Sequence, residues 1–315
     1  MGTIRAVVVD PNSRAHLAFE EVEEPSPAPL EALVHVSAVS LNRGEVRRAA
    51  MSSETGFRPG WDLAGTVERA AADGSGPPER SRVVGLMGSG AWAELAAVPT
   101  RSLATLPEGV SFAEASTLPV AGLTALYALE KAGGLLGKNV LISGASGGVG
   151  LISCRLARLS GAHAVALIRR EEHVELVREA GAAEVAVGED GSAASEHGPY
   201  DLVLESVGGE VLSNALTMLA PGGVCVSFGV SSAPEVTFDA RSFYLTGGAS
   251  LYGFILFHEI LSKPPSDGLA RLLRLVADGA LKPRIELEAS WEEIGAVAER
   301  LTNRGYTGKA VLHVG

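Results

Sequence analysis

Hydrophobic positions along the chain fall into two textures. From Thr3 to about Thr117 they come in short β-branched runs, at 4–9, 33–39, 62–67, 82–86 and 92–98, separated by Gly, Pro and Asp. That density of short strands and turns predicts a barrel-like β domain. The PSPAP stretch at 25–29 predicts a stiff extended connector, and Ser111 with Glu114 three residues on predicts a capped helix start. A helix is expected over 123–132. From Lys138 to about Phe257 the texture changes. Apolar runs without alternation at 140–143, 164–168, 184–187, 201–205, 224–228 and 250–257 predict strands buried on both faces. Amphipathic stretches at 151–160, 171–180 and 210–219 predict helices between them, ended by Gly161, Gly181 and Pro221-Gly222-Gly223. Strand and helix in alternation make an α/β unit with a doubly wound parallel sheet. The last segments, helix 268–277, strand 282–287, helix 291–301 and strand 309–314, are β-rich again and can return to the first domain. The expected domains are 1–119 with 263–315, and 120–262.

Composition narrows the class. The chain has 315 residues, 46% hydrophobic and 20% charged, enough for two globular domains. A net charge of −11 argues against a nucleic-acid or anionic-membrane partner, so any phosphate must be held locally. The two cysteines, Cys154 and Cys225, read as buried small hydrophobes. The N-terminus lacks a signal-peptide pattern and no run of 18 apolar residues occurs, which makes a cytoplasmic setting the expectation.

The candidate chemistry gathers around KNVLISGASGGVG, residues 138–150. A buried strand is followed by a small-residue turn in which Ala145, Gly147 and Gly150 have the spacing of a dinucleotide fingerprint, and then by a helix. Ser146, Gly147, Gly148, Val149 and Gly150 would lie against the pyrophosphate, because glycine lets the backbone approach and a helix start offers N–H groups and a positive dipole end. The same letters admit a rival: Gly144, Ser146 and Gly148 spell the G-x-S-x-G elbow of serine hydrolases. The end of the next strand, about 20 residues beyond Gly150, is where such a site reads the adenosine ribose. Arg169 and Arg170 occupy it in place of an acid, which favours NADPH over NADH. The blander reading is a solvated pair balanced by Glu171 and Glu172, with His173 as surface filler. Ser206 and Gly208 follow the fourth strand and would meet the cofactor ribose. Phe228 and Gly229 end the fifth and can border the nicotinamide, and Tyr252 and Phe254 can close the pocket. Asn42 and Thr124 are polar candidates for the reacting end; without further support each reads equally well as a turn residue and a helix-start residue. Tyr127 and Lys131 spell Tyr-x-x-x-Lys, but ahead of the glycine turn rather than behind it, so they read as neighbours on one helical face.

In this order and spacing, AVSLNRGE (38–45), PGWDLAGTV (59–67), LPVAGLTAL (118–126), ASGGVG (145–150), YDLVLESVGG (200–209) and GKAV (308–311) resemble the zinc-free quinone oxidoreductases of the medium-chain dehydrogenase/reductase superfamily. The resemblance implies a GroES-like β-barrel domain and a Rossmann domain, bound NADPH, a cleft lined by Asn42 with Thr124 at the nicotinamide, and commonly a homodimer pairing through 250–257. It implies hydride transfer to a small-molecule electron acceptor, a quinone or the C=C of an α,β-unsaturated carbonyl, with Asn42 and Thr124 orienting the carbonyl. Two departures stand out. Arg80-Ser81-Arg82-Val83 replaces the usual G-D-R-V turn, and Glu45 stands where Asp is commoner. Gly60-Trp61-Asp62 replaces the His-Glu turn of zinc-dependent relatives, and two cysteines cannot build their structural lobe, so no metal is expected. SRVVGLMGSGAW (81–92) also looks like the enoyl reductase modules of polyketide synthases, leaving an enoyl thioester reductase as an alternative. A crystallin-like NADPH-binding protein without turnover is another.

Overall fold

The computed structural model describes residues 2–52 and 54–315. They form two units: Met1–Leu123 with Ile260–Gly315, and Thr124–Glu259. No helix among the described residues is long and apolar enough to cross a membrane.

The first unit opens with an antiparallel pair, β1 (Thr3–Val9) and β2 (Leu17–Glu23). β3 (Glu31–Ser40), helix α1 (Arg43–Met51), β4 (Asp62–Arg69), β5 (Arg82–Leu86), β6 (Leu95–Pro99) and β7 (Leu103–Thr105) follow. Then come α2 (Phe112–Ser116) and α3 (Pro119–Leu129), within which the first unit ends. The predicted return of the C-terminal segments is observed. β14 (Ile285–Ser290) and β15 (Lys309–His313) extend the first sheet, whose order is β14-β15-β3-β4-β5-β7 with β6 also on β3. β2, β7 and α1 are elements that hydrophobic patterning does not announce. β6 starts at Leu95 rather than Trp92 because Ala93 makes only an isolated bridge to Ala6. β14 starts beyond Pro283, which has no N–H to give a ladder. The capping box at Ser111 forms as predicted: Glu114 N–H donates to Ser111 Oγ (3.1 Å) and Ser111 N–H to Glu114 Oε2 (3.0 Å).

The second unit contains β8 (Asn139–Ser143), α4 (Gly148–Leu159), β9 (His163–Ile168), α5 (Val174–Ala180), β10 (Glu184–Val187), β11 (Tyr200–Glu205), α6 (Gly209–Thr217), β12 (Leu219–Ser227), α7 (Ala240–Leu245), β13 (Ser250–Gly253) and α8 (Leu256–Glu259). Its six strands are all parallel in the order β10-β9-β8-β11-β12-β13. β8, β9 and β11 are buried almost throughout, as a sheet covered on both faces requires. Two sequence expectations fail here. Pro221-Gly222-Gly223 does not terminate α6, which has already ended at Thr217, but lies inside β12. There the register jumps from Tyr200↔Leu219 to Leu202↔Val224, and Gly222, at φ +74°, turns the extra residues outward to donate to Gly247 O at 2.8 Å. The sixth strand covers only Ser250–Gly253, because β12 ends at Ser227 and offers no ladder beyond it; residues past Phe254 wind into α8.

α9 (Pro265–Ala277) and α10 (Ile294–Thr302) complete the first unit.

Candidate functional site

Chain direction decides where the second unit can bind a ligand. β9 and β10 lie on one side of β8, and β11, β12 and β13 on the other, so the strand order reverses between β8 and β11. The crevice beyond the carboxyl ends of those two strands is the ligand position of an open α/β sheet. Both strand ends carry residues singled out from sequence. Gly144, at φ +59°, turns the chain out of β8, Gly147 caps α4, and Ser146 to Val149 are partly exposed at the first turn, where backbone N–H groups have no intrahelical partner. Gly150 is required: a Cβ there would sit 2.6 Å from both Ala145 Cα and Gly144 O. The turn therefore fits a diphosphate. It does not fit a nucleophile elbow, because Ser146 is not among the residues at positive φ and no hydrogen bond joins it to a histidine among the described residues.

Beneath this turn lies a group the sequence reading passed over. Glu205, the last residue of β11, is fully buried. Its Oε1 accepts from Val207 N–H (2.6 Å), Gly208 N–H (3.1 Å) and Ser143 Oγ (3.2 Å). Ser143 Oγ in turn accepts from Ser206 N–H at 2.9 Å, and Ser206 Oγ donates to Ser143 O at 3.3 Å. One carboxylate thus ties the end of β8 to the 206–208 turn. Burial pushes the Glu205 carboxyl above its ordinary value, and the backbone N–H bonds pull partly back.

The remaining predicted cofactor residues spread over neighbouring strand ends. Arg169 and Arg170 follow β9, exposed, and Arg170 pairs with Glu172 at 3.1 Å, a surface contact of small worth. Phe228 and Gly229 follow β12, with Phe228 meeting Phe254 edge to face at 6.4 Å between centroids. Phe254 is buried. Tyr252 joins a different cluster: Lys131 Nζ donates to its hydroxyl (2.9 Å) and to Glu259 Oε2 (2.8 Å), and the Tyr252 hydroxyl donates to Glu259 Oε1 (2.5 Å). Lys131 is thereby committed to Tyr252 and Glu259.

In the first unit, Asn42 caps the start of α1. Its Nδ2 donates to Asp62 Oδ2 (2.7 Å) and Glu45 Oε1 (3.0 Å), and its Oδ1 accepts from Lys309 Nζ (2.6 Å). Asp62 is fully buried and also accepts from Ser40 Oγ (2.7 Å) and, through Oδ1, from Val120 N–H (2.9 Å). Val120 lies one turn before Thr124, which is buried on α3, so one carboxylate braces Asn42 and the start of the helix that carries Thr124. Lys309 Nζ donates to Leu41 O (2.9 Å) and stands 3.3 Å from Asp62 Oδ2. Glu45 is buried beside them; burial, and then the Asp62 charge, raise its carboxyl well above the ordinary value against the pull of Lys309. Asp62 and Lys309 were visible only as letters in the PGWD and GKAV motifs. Among the described residues no group of three or more His, Cys, Asp or Glu is placed to hold a metal ion.

A family profile described as zinc-binding dehydrogenase matches residues 148–276. Over 308 residues the chain is 30% identical to the quinone oxidoreductase of Mus musculus, covering 93% of this chain and 92% of that protein. The chain belongs to the zinc-independent quinone oxidoreductase family. Members of this medium-chain dehydrogenase/reductase family share the GroES-like and Rossmann architecture described above. The native structure of a mycobacterial quinone oxidoreductase superposes with a TM-score of 0.88 at 24% identity, covering 99% of this chain and all of that one. The family's relatives include part of a much larger protein: the chain is 35% identical over 314 residues to erythronolide synthase EryA2 of Saccharopolyspora erythraea, covering 94% of this chain but 8% of that protein.

Proposed function

We propose that this oxidoreductase uses NADPH to reduce an electron-poor acceptor, a quinone or the β-carbon of an α,β-unsaturated carbonyl. The observation that carries the reading is the glycine turn at the β8/β11 switch point, where Gly150 leaves no room for a side chain and the first turn of α4 is open. Bound there, the nicotinamide would supply the hydride. The chain's own residues bind and orient. The α4 amides hold the diphosphate, Ser206 and Gly208 meet the ribose, and Arg169 and Arg170 admit the 2′-phosphate. The Thr124 hydroxyl faces the acceptor carbonyl, while Asn42, whose two Nδ2 protons go to Asp62 and Glu45 and whose Oδ1 accepts from Lys309, acts as a fixed wall on the acceptor's side, and the enolate left by hydride addition takes its proton from water. An adenylate choice made by arginine is tested by titrating NADPH and NADH into the wild type and the Arg169→Ala, Arg170→Ala double variant. The expected outcome is at least tenfold weaker NADPH binding with NADH unchanged; an equal effect on both removes the assignment. Unchanged acceptor-dependent oxidation of NADPH in the Asn42→Ala, Thr124→Ala double variant would refute their role.

A second reading, enoyl thioester reduction, is favoured by the similarity to a span of erythronolide synthase. It predicts faster turnover of enoyl thioesters than of simple quinones. A cofactor-binding protein without turnover predicts tight NADPH binding and no oxidation with any acceptor. For assembly we propose a homodimer in the cytoplasm. β13 is an open sheet edge, and Leu251, Ile255, Tyr244 and Leu245 are 45%, 66%, 65% and 63% exposed around it. Light scattering on the wild type and on Leu251→Lys tests this, with a monomeric wild type as the refuting result.

A further inference from the structure

Between Asn42 and Trp61 an acidic molecule carries four arginines, Arg43, Arg47, Arg48 and Arg58, against two glutamates. One of those glutamates, Glu45, is buried and turned towards Asn42. The other, Glu54, is exposed. The segment 54–61 lies along α1: a Cβ on Gly44 would come within 2.8 Å of Trp61 Cη2, and the Arg48 guanidinium stacks on the Phe57 ring at 4.9 Å. Arg58 sits in this segment, half-buried. Its Nε is buried without a hydrogen-bond partner, and no carboxylate pairs with it among the described residues. Burial alone draws the guanidinium below its ordinary value, with no acidic neighbour to restore it. A partly desolvated cation without a counter-charge costs stability unless something else supplies the anion.

The position of Arg58 indicates which anion. Arg58 comes four residues before Asp62, the carboxylate that holds the Asn42 amide at 2.7 Å, and Trp61 beside it abuts the first turn of the helix that Asn42 begins. The cofactor phosphates, by contrast, belong to the α4 turn and Arg169 and Arg170 of the other unit. We infer that Arg58, flanked by Arg48, binds an oxyanion carried by the acceptor, so that the preferred acceptor is an electron-poor alkene bearing a carboxylate or a phosphate rather than an uncharged quinone. This rests on the proposed hydride transfer and adds the acceptor's charge to it. The guanidinium fork suits either oxyanion in bidentate geometry.

The test compares matched acceptors with NADPH-loaded protein: an α,β-unsaturated carboxylate against its methyl ester, and crotonyl-CoA against its N-acetylcysteamine thioester. The wild type should turn over at least one charged member with kcat/KM about tenfold or more above its neutral partner, falling with added salt. Arg58→Gln should raise KM for that charged member by about tenfold or more, while kcat and the neutral member stay put. Arg58→Lys should restore part of the loss. Response of the carboxylate pair alone names a small acid; response of the thioester pair alone names a phosphate-bearing carrier. Urea midpoint and NADPH affinity measured on Arg58→Gln show whether the variant folds, and both should match or exceed the wild type. Equal effects of Arg58→Gln on charged and neutral members overturn the inference, as does a wild type indifferent to charge. If no acceptor of either kind is reduced, hydride transfer itself fails. The anion site then stands or falls on calorimetry: the carboxylate titrated into NADPH-loaded wild type must give heat that Arg58→Gln abolishes.

Discussion

Each unit buries a carboxylate at the point where its candidate site is organised, and the two are held by opposite means. Asp62 has an ammonium within 3.3 Å and donors from Ser40, Asn42 and Val120. Glu205 has no cation partner among the described residues; its bonds come from Ser143 and the N–H groups of Val207 and Gly208. The difference follows from what each must hold. Around Asp62 three separate segments, at 40–45, 62 and 309, must be fixed together, and a strong point charge can do this across long sequence separations. Around Glu205 the chain has only to hold one tight turn against one strand end, and backbone dipoles a few residues away suffice.

The contrast predicts that removing the counter-charge damages the first unit most. Lys309→Met leaves Asp62 buried without its cation and should cost about 3–5 kcal/mol, read as a lowered urea midpoint, with much of the loss returned in the Lys309→Met, Asp62→Asn double variant. Full loss in the double variant would mean that Lys309 acts by packing rather than charge. The second unit should respond differently. Gly150→Ala forces a Cβ to 2.6 Å from backbone atoms and should cost about 1–3 kcal/mol, with a larger proportional loss in nucleotide affinity than in stability. Fluorescence titration with NADPH beside a denaturation curve separates the two effects.

Legibility in the sequence follows the same division. The parallel sheet was readable because strands buried on both faces leave unbroken apolar runs, and the glycine turn because its constraint is local. Ser111 and Glu114 were readable for the same reason, being three residues apart. α1 was not, since its buried positions are Glu45, Val46 and Ala49, one of them charged. Asp62 and Lys309 are 247 residues apart, and Ser143 and Glu205 62 apart, so no local pattern announces either contact. Pro221-Gly222-Gly223 misled because a positive-φ glycine serves a strand excursion as well as a helix end. The elements whose signals are local were readable; the charges that join distant segments were not.

Acidity offers a smaller test of the same contrast. Glu45 titrates near 4.5 when unfolded and is held protonated to higher pH in the fold by burial, then by the Asp62 charge. Its contribution is therefore complete below about 4.5 and is lost as pH rises through the folded value. Glu205, raised by burial, leans the same way. Asp10, Asp73, Asp190 and Asp239 lean the other way: serine hydrogen bonds lower them, so their contribution is lost only as pH falls below 3.8. The two windows separate. As pH rises above about 4.5 the wild-type unfolding free energy from urea melts should fall with a slope no steeper than about 1.4 kcal/mol per pH unit for one group, and Glu45→Gln should flatten it. An unchanged slope would locate the dependence at Glu205 instead, where Glu205→Gln must remove it.

The smallest effect is expected at a fourth buried carboxylate, which combines both strategies. Glu259 accepts from an ammonium, Lys131 at 2.8 Å, and from a hydroxyl, Tyr252 at 2.5 Å, while Lys131 also stands 4.1 Å from the centre of the Tyr252 ring. With the cation present, the hydroxyl adds one further bond rather than the counter-charge. Tyr252→Phe keeps the ring under the ammonium and leaves Glu259 its ion pair, so it should cost about 1 kcal/mol, seen as a melting-temperature shift of a few degrees. Lys131→Met at the same cluster should cost more, because it removes the charge that offsets Glu259. If Tyr252→Phe proved the costlier change, the hydroxyl rather than the ammonium would be holding Glu259, and the carboxylate would belong with Glu205 as one kept by neutral donors.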